Sequence, residues 1–210
     1  MNDDANVENL EPLETELYMP NPVLTGNQIV LLLNKLLIQL NNELGLICEQ
    51  TAFIATSIAM NDTTKTEHSL KNIFLTSLFH LIGVQRFFGE KYTSLNSLTT
   101  SQKNKCFLYS YSYLKYMSPL GEDAKALIFY DKKYNSEIAQ KIPQMENASL
   151  IFDAQKILFL LRNNNFTYTQ EDLAKISEAR ANTKYIEIFK NADKTGKITK
   201  LLKTCTYKET

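Results

Sequence analysis

No tryptophan occurs among the 210 residues, and glycine, proline, cysteine and histidine number only 6, 5, 3 and 2. Hairpin-rich sandwiches, Rossmann loops and P-loops draw on glycine and proline for tight turns and positive φ, so their scarcity points to helices. Cys48, Cys106 and Cys205 are odd in number and form neither a C-x-x-C pair nor a zinc-finger spacing. That excludes a disulfide framework and a structural zinc site, and fits a reducing cytosol. Two histidines leave little material for a Ser or Cys triad, and Ser57, Ser110 and Ser112 lack a Gly-x-Ser-x-Gly elbow. No glycine loop cradles a phosphate. Lysine plus arginine equals aspartate plus glutamate at 23 each, so no net field draws a nucleic acid. The longest apolar stretch, Ile29 to Leu40, is broken by Asn34 and Lys35 and falls short of the roughly 20 residues of a membrane span. A soluble, cytoplasmic protein is expected, with no nucleic acid, no membrane and no cofactor among its partners.

Hydrophobic residues make up 44% of the chain, including 11 tyrosines and 11 phenylalanines, which is ample for one core. The first 34 residues hold six acids and no Lys or Arg, the reverse of a signal peptide's start. With Pro12, Pro20 and Pro22 they read as an acidic flexible arm over 1–21. From Ile29 to Leu44, Leu32, Leu33, Leu36, Leu37 and Leu40 recur at helical spacing, and Gly45 is placed to end or bend that helix. Further helices are expected over about 48–60, 67–82, 100–117, 122–130, 147–161 and 169–179, with a last one starting near Thr183. The helical body is read as 22–190 and the basic tail as 191–210. From Lys184 onward seven lysines face three acids, so the two ends could attract one another or a second copy. Every element is helical, which gives an all-α, single multi-helix globular domain.

His68 stands in a polar stretch and reads as a solvated surface residue, whereas His80 lies at the apolar end of a helix and is followed closely by Gly83. The segment Ser77-Leu78-Phe79-His80-Leu81-Ile82-Gly83 resembles the Leu-Leu-His-Asp-Ile-Gly motif of HD-superfamily phosphohydrolases, in which adjacent His and Asp bind a metal. Later segments are similar to the HD-GYP subgroup in order. They are Leu98-Thr99 with Tyr109 and Tyr113, Ala126 to Asp131, Ile142-Pro143 with Ala148 to Asp153, Thr169 to Ile176, and Asn182 to Phe189. The resemblance covers about residues 45–190 and implies an HD-type helical fold.

Active members of that subgroup hydrolyse cyclic di-GMP with two or three metal ions, whose bound water becomes the nucleophile. In this chain the resemblance leaves only His80 and Asp153 in ligand positions, with Asp131 where a Glu is usual. The other slots fall on Cys48, Leu81, Tyr109, Phe129 and Tyr130. Val84 replaces the usual lysine after Gly83, and the Gly-Tyr-Pro signature is missing. The implied reading is a catalytically inactive HD-GYP-like module of bacterial signalling that works through a protein partner, through retained cyclic di-GMP binding, or as a homodimer. Two alternatives stand beside it. One is an active metal-dependent phosphohydrolase rebuilt around His80, Asp131 and Asp153 with Glu122, Asp123 or Glu137; the other is an unrelated all-helical adaptor. In the pseudoenzyme reading His80 is buried and neutral and hydrogen-bonded to a nearby polar group, for which the resemblance offers Asp153 as the candidate.

Deleting residues 1–20 is expected to leave the thermal midpoint nearly unchanged. A loss of several kcal/mol in unfolding free energy would instead show that Leu10, Leu13, Leu17 and Tyr18 dock on the body.

Overall fold

The computed structural model describes residues 26–84, 86, 99–117, 120–131, 144–178 and 183–204, and all regular structure among them is helical. The first long apolar stretch forms two helices, α1 (Gly26–Leu40) and α2 (Asn42–Met60). The break comes at Asn41, not at Gly45. Asn41 adopts an extended conformation, and its side chain accepts the N–H of Leu44, capping α2. Gly45 sits inside α2, where a Cβ would stand 2.9 Å from the Ile38 Cα. Its role is to let α1 and α2 approach, as Asn34 Nδ2 donating to Glu49 Oε1 at 2.6 Å also requires.

Helix α3 (Glu67–Phe79) is capped by Thr66 and gives way to a 3-10 turn at Ile82–Val84. Helix α4 (Thr100–Leu114) starts in a capping box of Thr99 and Gln102. Then come α5 (Leu120–Asp131), α6 (Met145–Asn163), α7 (Gln170–Glu178), α8 (Thr183–Ala192) and α9 (Lys197–Thr204). Two residues beyond α6, Asn165 and Phe166, take positive φ of 53° and 58° and reverse the chain. Thr169 and Asp172 cap α7 reciprocally, as their spacing predicts.

Residues 197–204, which fall in the stretch expected to be a basic tail, fold as α9. Asp193 accepts the N–H groups of Ile198 and Thr199, Gly196 turns the chain at φ 68°, and Ile198 and Leu202 are buried. Gln50 Nε2 of α2 donates to the Leu202 carbonyl at 3.3 Å, tying α9 to the centre.

Helices α2 and α6 form the middle of the fold. Around α2 pack α1, α3, α6 and α8; around α6 pack α3, α5, α7 and α8 as well. Their buried residues, Ile47, Ala52, Ile54, Ala55 and Ile58 on α2 and Leu150, Ile151, Ala154, Ile157 and Leu158 on α6, belong to one core. On α1 the core takes only part of the apolar stripe. Leu37 is buried, while Leu31, Leu32 and Leu36 remain exposed. On α4 it takes Cys106, Phe107 and Leu114, with Ser110 buried beside them; Tyr113, and Tyr116 just beyond the helix, face outward.

Gly83 fixes the 3-10 turn against α4. Its N–H donates to Ser110 Oγ at 2.9 Å, and a Cβ there would run into the Cys106 carbonyl and the Ser110 backbone nitrogen. Backbone cannot move aside as a flexible side chain does. Gly83→Ala is therefore expected to lower the unfolding free energy by about 2 kcal/mol or more in urea denaturation, and an unchanged midpoint would show that the turn and α4 are not in register.

Candidate functional site

His80 caps the C-terminal end of α3 and is 1% exposed. Its Nδ1 donates to the Ser77 carbonyl, which fixes the neutral tautomer and leaves Nε2 as a buried acceptor with no hydrogen-bond partner. Burial pushes the imidazole down from 6.5 to about 4, and the bond to Ser77 opposes this only in part. Leu81, in the slot where the resemblance looks for a metal-binding Asp, is buried in the hydrophobic core. Cys48, in the first histidine slot, is fully buried on α2, with its thiol in hydrogen-bonding contact with the Leu81 backbone. Burial pushes that thiol up to about 12, so it holds its proton. Three of the expected positions, Cys48, His80 and Leu81, thus come together in one dry place.

Asp153 is buried on α6, which packs on α3. Its Oδ1 lies 3.5 Å from Nζ of Lys156, one turn along the same helix. The hydrogen-bond partner of His80 is the Ser77 carbonyl and not Asp153: the helix end supplies an acceptor three residues back, closer in the chain than any side chain of α6. Tyr109 is half-buried on α4 and stacks under the Arg86 guanidinium, 4.9 Å from the ring centre. Phe129, Tyr130 and Asp131 form the last turn of α5, and their side chains lie outside the described residues, as does Glu137 altogether. Among the described residues no group of three or more His, Cys, Asp and Glu side chains is placed to hold a metal ion.

A second polar location lies at the opposite end of α3, where α3, α5 and α6 all begin. From His68 to His80 the axial rise is about 18 Å. Here a cavity of about 450 Å³ is lined by Lys65, His68, Ser69, Asn72, Asp123 and Asn147, among others. Asn147 organises it. Its Nδ2 donates to Asp123 Oδ1 at 2.9 Å, and its Oδ1 accepts from Lys65 Nζ at 3.2 Å. Lys65 also pairs with Glu146 at 3.1 Å. Asn72 Nδ2 donates to His68 Nε2 at 3.3 Å, while Asn72 Oδ1 is buried without a hydrogen-bond partner. Burial raises the Asp123 carboxyl above the ordinary aspartate value, against the opposing effects of Asn147, His68 and Lys65.

Glu122 and Asp123, named as supplementary ligands around His80 in the active-enzyme alternative, therefore line this cleft instead. Asn72, Asn147 and Lys65 carry no motif. Their one sequence signal is that Lys65 and Asn147 lie in or beside the polar opening turn of a helix, with Asn72 in the following turn of α3.

His80 sets a pH dependence. The folded chain binds its proton less readily than the unfolded chain, so this contribution to stability is complete above 6.5 and is lost as pH falls toward about 4. The full loss is on the order of 3 kcal/mol. Urea denaturation between about pH 7 and about pH 4.5 should show a shallower decline for His80→Leu than for the wild type, and parallel declines would mean that His80 is solvated.

Comparison of the chain with protein-family models, curated proteins and solved structures returns no match.

Proposed function

We propose that the chain is a non-catalytic, HD-GYP-like helical module that acts by binding within a bacterial signalling system of the cyclic di-GMP type. The observation that carries the reading is the dry cluster of Cys48, His80 and Leu81. Where an active enzyme of that subgroup would gather charged metal ligands, these positions hold a protonated thiol, a neutral imidazole and an aliphatic side chain. Metal-assisted hydrolysis needs a water-accessible ion with several N and O ligands, and here Leu81 offers none while Cys48 and His80 are withdrawn from water. The side chains fill the space instead, and that packing contributes to stability.

A module of this kind works through its surface. Leu31, Leu32 and Leu36 on α1 are 61, 48 and 44% exposed, and Leu32 and Leu36 lie one turn apart. That stripe supports a protein partner or a second copy as the binding target.

Purified protein is expected to carry far less than one equivalent of Fe, Mn or Zn and to leave cyclic di-GMP intact when Mn or Fe is added. Elemental analysis and a turnover assay check this together. Stoichiometric metal that disappears in His80→Ala, or turnover that His80→Leu abolishes, would replace the binding module with an enzyme.

A further inference from the structure

The cleft at the start of α3, α5 and α6 holds a buried oxygen acceptor without a donor and a buried carboxylate. Asp123 is 2% exposed, and the hydrogen bond to its carboxylate comes from the neutral amide of Asn147. Asn72 is 8% exposed and lines the same cavity, and its Oδ1 has no donor. Buried oxygen acceptors without donors are costly, and a buried carboxylate most of all. The nearby cation, Lys65, offsets this only in part: its charge acts on Asp123 through space, but its hydrogen bonds go to Glu146 and Asn147 Oδ1. A cavity of about 450 Å³ is larger than a bridging water needs and lies in the range of small-molecule sites.

The occupant that completes this arrangement carries N–H donors and positive charge. We propose that the cleft is a binding site for a small organic ammonium ion, a primary amine whose head group donates to the Asp123 carboxylate and to Asn72 Oδ1. Glu122 and Glu146 add negative charge around the cavity, and His68 and Lys65 line its α3 side. Charge-assisted hydrogen bonds of this kind are the strong ones, and they gain strength where a carboxylate is withdrawn from water.

Two other ligand classes fit less well. An anion would benefit from the three helix starts, but it would meet Glu122, Asp123 and Glu146, with Lys65 already paired. A hard divalent cation asks for six or more oxygen ligands, and among the described residues the cleft presents no cluster of three acidic or imidazole ligands. The proposal depends on neither the His80 cluster nor the HD-GYP resemblance, so either can fail without the other.

The test is calorimetric titration of the full chain with 1,4-diaminobutane, with neutral 1,4-butanediol, with inorganic phosphate and with magnesium. Amide chemical shifts should locate the binding. The expected result is saturable binding of the diamine alone, with shifts concentrated at 64–72, 122–123 and 144–147. Asp123→Asn keeps an oxygen for Asn147 while removing the charge, and should weaken the diamine about ten-fold or more. Glu122→Gln, exposed and at no risk of disturbing the core, should weaken it to a smaller extent. Absence of saturable diamine binding, equal binding of the diol, preference for phosphate or magnesium, or an affinity unchanged in both variants would each overturn the proposal.

Discussion

The fold depends on how closely helices can approach α2. Four helices pack around it, and the residues that allow this are small: Gly45 against α1, and Ala52, Ala55 and Ala59 in the buried faces beyond. Small side chains bring helix axes together, and the large residues of α3, α6 and α8, including Phe79, Leu158 and Phe189, then fill the spaces between. Gly83 plays the same part at one remove. By admitting α4 to the 3-10 turn after α3, it fixes the position of the segment that carries His80 and Leu81.

That tight packing decides the chemistry of the two polar locations in opposite ways. At the C-terminal end of α3 the imidazole of His80 and the thiol of Cys48 are buried, and desolvation holds both neutral. A neutral histidine bonded to its own helix carbonyl behaves as a polar core residue. At the N-terminal end, three helices begin side by side, and their first turns are polar because capping and dipole effects favour polar and acidic residues there. The polar side chains keep a cavity open where apolar ones would have closed it. Asn147 then links α6 to Asp123 on α5 and to Lys65 before α3.

Ion pairs and caps around this centre hold the later helices in place. Lys184 at the start of α8 reaches Asp62 in the turn after α2 at 2.9 Å, and the Tyr185 hydroxyl donates to the Glu146 carbonyl at 3.3 Å. Asp62 illustrates the balance of terms. Desolvation acts to raise its carboxyl, but the Lys184 ammonium and the Thr64 hydroxyl and N–H together bring it below the ordinary aspartate value.

The all-helical class was legible because it rests on local physics: scarce glycine and proline and 3.6-residue apolar periodicity. The burial of His80 was legible too, from the apolar residues around it. Where the reading failed, the deciding contact was distant in sequence. Gly45 looked like a helix end but serves the approach of Ile38, and of the apolar stripe on α1 Leu37 is buried while Leu32 and Leu36 remain exposed. Residues 197–204 looked like a tail because only Asp193 and Gln50 reveal what α9 rests on. The cleft is the clearest case. The helices could be read from the residues alone, since each depends on neighbours within a turn or two. That Lys65, Asn72, Asp123 and Asn147 share one cavity emerges only when the chain is packed, because nothing in a local pattern states which helix starts will meet.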